Sequence, residues 1–171
     1  MKVNAKKRYL FIIGMFLFLL LDGSFSYNFT SWMFTPKTSM ESRLLLLWLI
    51  LAVCYLKYDK IIWWAFLVGM LYDLYYSGIL GIFTFLFPLM IYLNREVFEF
   101  LETSPILVFS IYLIDVTLLT TLSYAISSLL GLTSVLGTDF IAKVLGPTLI
   151  YNMFFFVVLY VPFKKIFTKF S

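Results

Sequence analysis

The chain is a succession of apolar runs separated by short polar breaks. A hydrocarbon core of roughly 30 Å needs about 20 helical residues per crossing, which gives each run a length to be judged against. Residues 9–21 carry no charge, and apolar character resumes past Asp22 and Gly23 to Phe29, giving a first span over 9–29. The run 44–56, between Arg43 and Lys57, is a short second span extended by its flanks. Residues 61–93 hold one charge, Asp73. As a single helix they would be about 50 Å long, so the run must reverse. Tyr75-Tyr76-Ser77-Gly78 is the natural break, since glycine accepts positive φ, and it leaves spans at 61–75 and 79–93. Ser104 followed by Pro105 reads as a cap and first turn opening a fifth span, 105–130. The sixth, 140–163, is closed by Pro162 and Lys164-Lys165. The predicted fold class is all-α: one polytopic domain, 1–171, of six transmembrane helices.

Composition agrees with this reading and narrows the chemistry. Hydrophobic residues make up 63% of the chain and charged ones 13%, with mean hydropathy +0.99, which is far from the make-up of a soluble enzyme. Aromatics reach 21%, an excess suited to lipid-facing and interfacial positions. The net charge of +4 comes from short basic clusters beside apolar runs, not from one basic face, so nucleic acid is not an expected partner. With six spans, Lys2, Lys6, Lys7, Arg8, Lys57, Lys60, Arg95, Lys164, Lys165 and Lys169 fall on one side, against Lys37, Arg43 and Lys143 on the other. Ten against three places both termini in the cytoplasm. The basic start and first apolar run also fit a signal peptide, but Asp22-Gly23-Ser24-Phe25-Ser26 is a poor cleavage site and a retained helix is the reading adopted. A single cysteine, Cys54, and the lack of histidine leave no expected disulfide, metal site or cofactor, and any chemistry would fall to carboxylates.

Three acids lie within predicted spans: Asp22, Asp73 and Asp115. Counted along their helices, they stand about 20, 18 and 15 Å from the cytoplasmic ends and are able to share one layer. A carboxylate in lipid must face the bundle and find a partner. It serves either as a proton or substrate site or, the reading preferred, as a structural group satisfied by polar neighbours. Lys143 is read as pairing with Asp139 four residues earlier, in preference to acting as counter-ion to Asp22. Gly69 and Asp73 share a helical face, where a small residue permits close approach beside a polar one. Gly78 and Gly81 flank the turn, and Pro88 invites a kink, as does Gly146-Pro147, with Asn152 the one amide in its run. Two segments are candidate partner surfaces. The outer stretch 30–42 carries Trp32, Phe34 and Met40, and the inner stretch 94–102 mixes Arg95, Glu96, Glu99 and Glu102 with Phe98 and Phe100.

The stretch from Gly69 through Asp73, Gly78 and Gly81 to Pro88 resembles the characteristic region of the MreD family of bacterial rod shape-determining membrane proteins. In that family a G-x-x-x-D helix, a small-residue turn, a glycine and a later proline recur in this order. The resemblance implies a non-enzymatic scaffold of the cell-elongation machinery in the cytoplasmic membrane. Its implied partners are a bitopic MreC-like protein, a RodA-type glycosyltransferase with its transpeptidase, and MreB filaments. No catalytic residue is carried over. A more distant likeness to the substrate-binding components of energy-coupling-factor transporters implies a six-helix fold and, as the alternative function, capture of a vitamin or other small molecule around the three acids.

Overall fold

A computed structural model of the chain describes residues 5–28, 38–56, 58–133 and 135–168, with backbone alone for 26–28. Trp32 and Phe34 lie outside the described residues. Among the described residues six helical rods follow one another: α1 Ala5–Asn28, α2 Leu44–Leu56, α3 Ile61–Ser77, α4 Ile82–Phe100, α5 Pro105–Leu129 and α6 Gly137–Thr168. The protein is thus all-α. Among the described residues there is no strand, only an isolated bridge position at Ser39. Helices α1, α5 and α6 are long and apolar enough to cross a bilayer, whereas α2 and α3 are shorter apolar helices.

The shortest rod sits in the middle. Every residue of α2 except Tyr55 is buried, and α2 packs against all five other helices. Its 13 residues span only about 20 Å, less than the hydrocarbon core, and it is uniformly apolar because it has no solvent face. Trp48 fixes it against α1: its indole N–H donates to the Phe11 carbonyl (3.1 Å), and its ring lies where any side chain at Gly14 would be, 2.1 Å from an ideal Cβ there. Phe18, Phe163 and Phe167 pack around the same ring at 4.5–5.2 Å between centroids. The outer walls of the bundle are apolar too. Trp63, Phe85, Ile114, Ile150, Phe154 and Val157 are all exposed, a distribution suited to lipid and costly in water.

The hairpin of α3 and α4 is built by the residues that carry the family resemblance. Gly69 lets the start of α4 approach so closely that a Cβ would lie 2.4 Å from the Phe83 carbonyl oxygen. The helix does not stop at Tyr75 but runs on through a π turn, Asp73–Ser77. The reversal falls at 78–81, where Gly78 (φ +71°) and Gly81 (φ +121°) take left-handed backbone that a side chain disfavours. Helix α4 likewise continues past Leu93. Residues 94–100, outside the predicted span 79–93, form its last turns, and Asn94 there is buried. The alternation of charge and aromatics in that stretch marks an amphipathic helix end, which explains why it reads as a loop by polarity alone.

Candidate functional site

The N-terminus of α2 is held by a carboxylate from another helix. Asp22, deep in α1, accepts the Ser42 hydroxyl (2.6 Å) and the backbone amides of Leu44 (2.9 Å) and Leu45 (3.1 Å). These amides have no partner within their own helix, and the helix dipole favours a negative charge beside them. The segment before α2, residues 39–43, is fastened to α6. Asn152 uses its whole amide group for this. Its oxygen accepts from the Arg43 amide (2.9 Å) and the Tyr112 hydroxyl (3.1 Å), while its NH2 donates to the carbonyls of Glu41 and Thr148 (2.8 Å each). The Glu41 amide donates to the Thr148 hydroxyl (3.1 Å). Pro147 has no N–H to give to the Lys143 carbonyl four residues back, and that carbonyl accepts from Ser39 instead (2.6 Å).

This fastening carries Arg43 inside, where it is 3% exposed. Its guanidinium pairs with Glu41, donates to the Tyr72 hydroxyl (3.3 Å) and lies 5.1 Å from the centre of the Phe83 ring. Because α2 ends early, a cleft of about 470 Å³ occupies the end of the bundle beyond it. Asp22, Glu41 and Arg43 line it together with Tyr72, Tyr76, Thr120, Ser123, Tyr124 and Ser127. A concave polar site in an otherwise apolar bundle is the arrangement expected for recognition of a polar group.

The three acids of the predicted spans are not brought to one place. Asp22 lines the cleft. Asp73 caps α4, accepting the amides of Gly81, Phe83 and Thr84 (2.9 Å each) and the Thr84 hydroxyl (2.7 Å). Asp115 faces the carboxamide of buried Asn94. Their similar heights followed from counting along helices, but each helix presents its acid to a different neighbour. Lys143 pairs with Asp139 (2.6 Å) on the surface and not with Asp22. Met40 is half-buried. At the opposite end of the bundle Arg95 bridges Asp59 (3.6 Å) and Glu99 (3.2 Å) beside a cleft of about 240 Å³. A third hollow, an apolar groove of about 390 Å³, runs along the outside of α5 and α6 between Ile114, Leu118 and Met153.

Sequence reasoning placed Arg43 at the membrane edge as a flanking charge and passed over Glu41, Tyr72, Tyr112 and Thr148. The signal that would have found Arg43 is the length of the run behind it. Thirteen apolar residues cannot cross about 30 Å, so a charge at their edge must lie below the membrane surface.

Comparison with known proteins bears on the whole chain. The family model for "rod shape-determining protein MreD" matches residues 6–170. The rod shape-determining protein MreD of Bacillus subtilis (strain 168) is 28% identical over 133 residues, covering 78% of this chain and 77% of that protein. No solved structure matches, so the expected likeness to transporter substrate-binding components gains no support from a known fold. The chain, a membrane protein by its apolar helices, belongs to the MreD family of rod shape-determining proteins and has its role in cell shape.

Proposed function

We propose that the protein is a non-enzymatic scaffold of the cell-elongation machinery, one six-helix domain crossing the cytoplasmic membrane six times with both termini inside. The observation that carries the scaffold reading is the use made of its intramembrane acids. Asp22 and Asp73 both serve to fix the start of another helix, a structural task that gives the bundle a rigid shape. The orientation is supported by the two ends of the bundle. Lys6, Lys7, Arg8, Lys60, Arg95, Lys164 and Lys165 gather at one, and Arg43 and Lys143 stand at the other.

A bitopic MreC-like protein is the proposed direct partner, its single transmembrane helix lying in the apolar groove of α5 and α6 and its outer part meeting residues 30–42 through Trp32, Phe34 and Met40. RodA-type glycosyltransferase, its transpeptidase and MreB filaments would be reached through that complex, with the end of α4 around Arg95 and Glu99 as the inner contact. The test is photo-crosslinking in native membranes from positions 114 and 153, from 32 and 34, and from 95 and 99, followed by mass spectrometry of the adducts. A bitopic protein captured from 114 or 153 supports the groove. Adducts with lipid alone from all six positions would sink the scaffold reading. The alternative, a substrate-binding component of a small-molecule transporter, is favoured by the polar cleft over α2. A vitamin-like molecule that copurifies stoichiometrically, with no bitopic partner recovered, would decide for it.

A further inference from the structure

Two buried polar atoms on the wall of the cleft over α2 have no hydrogen-bond partner among the described residues: Arg43 Nε and Thr120 Oγ1. Thr120 is 1% exposed and Arg43 3%. Buried donors of this kind are rare, because each forfeits a bond it had in water. A third donor stands beside them. The Tyr72 hydroxyl accepts from Arg43, which leaves its own proton to give. The demand is for an oxygen-rich group that accepts several hydrogen bonds.

Charge decides what else that group must carry. Asp22 is engaged by Ser42 and two helix amides, and Arg43 is matched by Glu41, so a bare anion would add an uncompensated charge to a cleft set among apolar helices. Glu41 is 34% exposed and uses one carboxylate oxygen, Oε2, on Arg43, leaving the other to face a cation. We propose that the cleft binds a small zwitterionic head, its phosphate or carboxylate held by Arg43 with Tyr72 and Thr120, and its ammonium by Glu41. Arg43 Nε is closed to solvent in this structure, so binding requires the guanidinium to turn from Glu41 toward the incoming oxygens while Glu41 turns to the ammonium. One ion pair is exchanged for two and the net charge of the site is unchanged. The head would come from a membrane lipid of the phosphatidylethanolamine type or from a free solute of the same chemistry. The reading goes beyond the scaffold function and does not depend on which partner is bound.

The full-length protein in nanodiscs of equal parts phosphatidylethanolamine and phosphatidylglycerol is the first arm, with the lipids that stay attached counted by native mass spectrometry. The second arm measures thermal unfolding in detergent with glycerophosphoethanolamine, a soluble phosphodiester of the same charge, or inorganic phosphate added. Wild type is expected to retain phosphatidylethanolamine over phosphatidylglycerol by about fivefold, or to be stabilised by glycerophosphoethanolamine, and the arm that responds assigns the source. Glu41→Gln should abolish the preference, because the phosphate site remains while the ammonium site is lost. Thr120→Val, which removes a hydroxyl that no described residue bonds, should weaken retention about threefold without lowering the unfolding temperature of the ligand-free protein. Equal retention of both lipids together with no response to glycerophosphoethanolamine would overturn the proposal. So would inorganic phosphate acting as strongly as glycerophosphoethanolamine, or Glu41→Gln and Thr120→Val behaving as wild type.

Discussion

Asp22 and Asp73 carry out the same task in different company. Each is a buried carboxylate that accepts the free amides at the start of another helix. Asp73 reaches only 8 to 11 residues ahead, across a hairpin whose glycines make the turn, and four donors close around it. Asp22 reaches 20 to 23 residues ahead, to a segment that α6 must hold in place through Asn152, and it borders an open cleft. The first tie is local and sealed. The second is assembled from three helices and, though buried, lies against the wall of the cleft. One kind of bond thus fixes the starts of two helices, one within a closed hairpin and the other beside the cleft.

Removing the sealed cap should do the most damage. Asp73→Leu leaves four donors unmet in an apolar interior and is expected to cost roughly 4 kcal/mol in detergent unfolding, with amide exchange rising first at 81–84. Asp73→Asn keeps one acceptor oxygen but turns an NH2 toward a backbone donor, so it should fall midway, at about 2 kcal/mol. Asp22→Leu should cost about 3 kcal/mol, less than its counterpart because water can enter from the cleft. Its exchange should rise at 42–45 and leave 81–84 protected. If both variants loosen the same residues, the two ties are one cooperative unit and the distinction drawn between them fails. Gly69→Ala presses a methyl group on the Phe83 carbonyl and should cost about 2 kcal/mol, confined to the hairpin. Lys143→Ala removes a pair in which both side chains are more than two-fifths exposed, and unfolding should shift by no more than about 0.5 kcal/mol.

Much of the hairpin was legible in the chain. Gly69 and Asp73 four apart predicted close approach beside a polar contact, and the need for a reversal within 61–93 followed from length alone. The turn was placed a few residues early because Tyr75-Tyr76-Ser77 has turn-like polarity, yet the helix absorbs it as a π turn before Gly78 can reverse the chain. Of the residues lining the cleft, only Asp22 was singled out as a candidate, with Asn152 behind it as a fastening. Glu41, Tyr72 and Thr120 belong to different helices or loops, and no spacing in the chain links them.

By itself the sequence determined that the protein is a set of apolar helices whose embedded carboxylates must find donors, since lipid offers none. It also determined where one hairpin folds, because the chain distances there are short. Tertiary structure alone decided which donors each acid receives, that the shortest helix occupies the centre, and that Arg43 is drawn inside with Glu41. The reason is physical. Hydrophobicity acts without direction and is readable along the chain, whereas the satisfaction of a buried charge is directional and depends on which helix faces which, a choice made by side-chain fit such as Trp48 against Gly14.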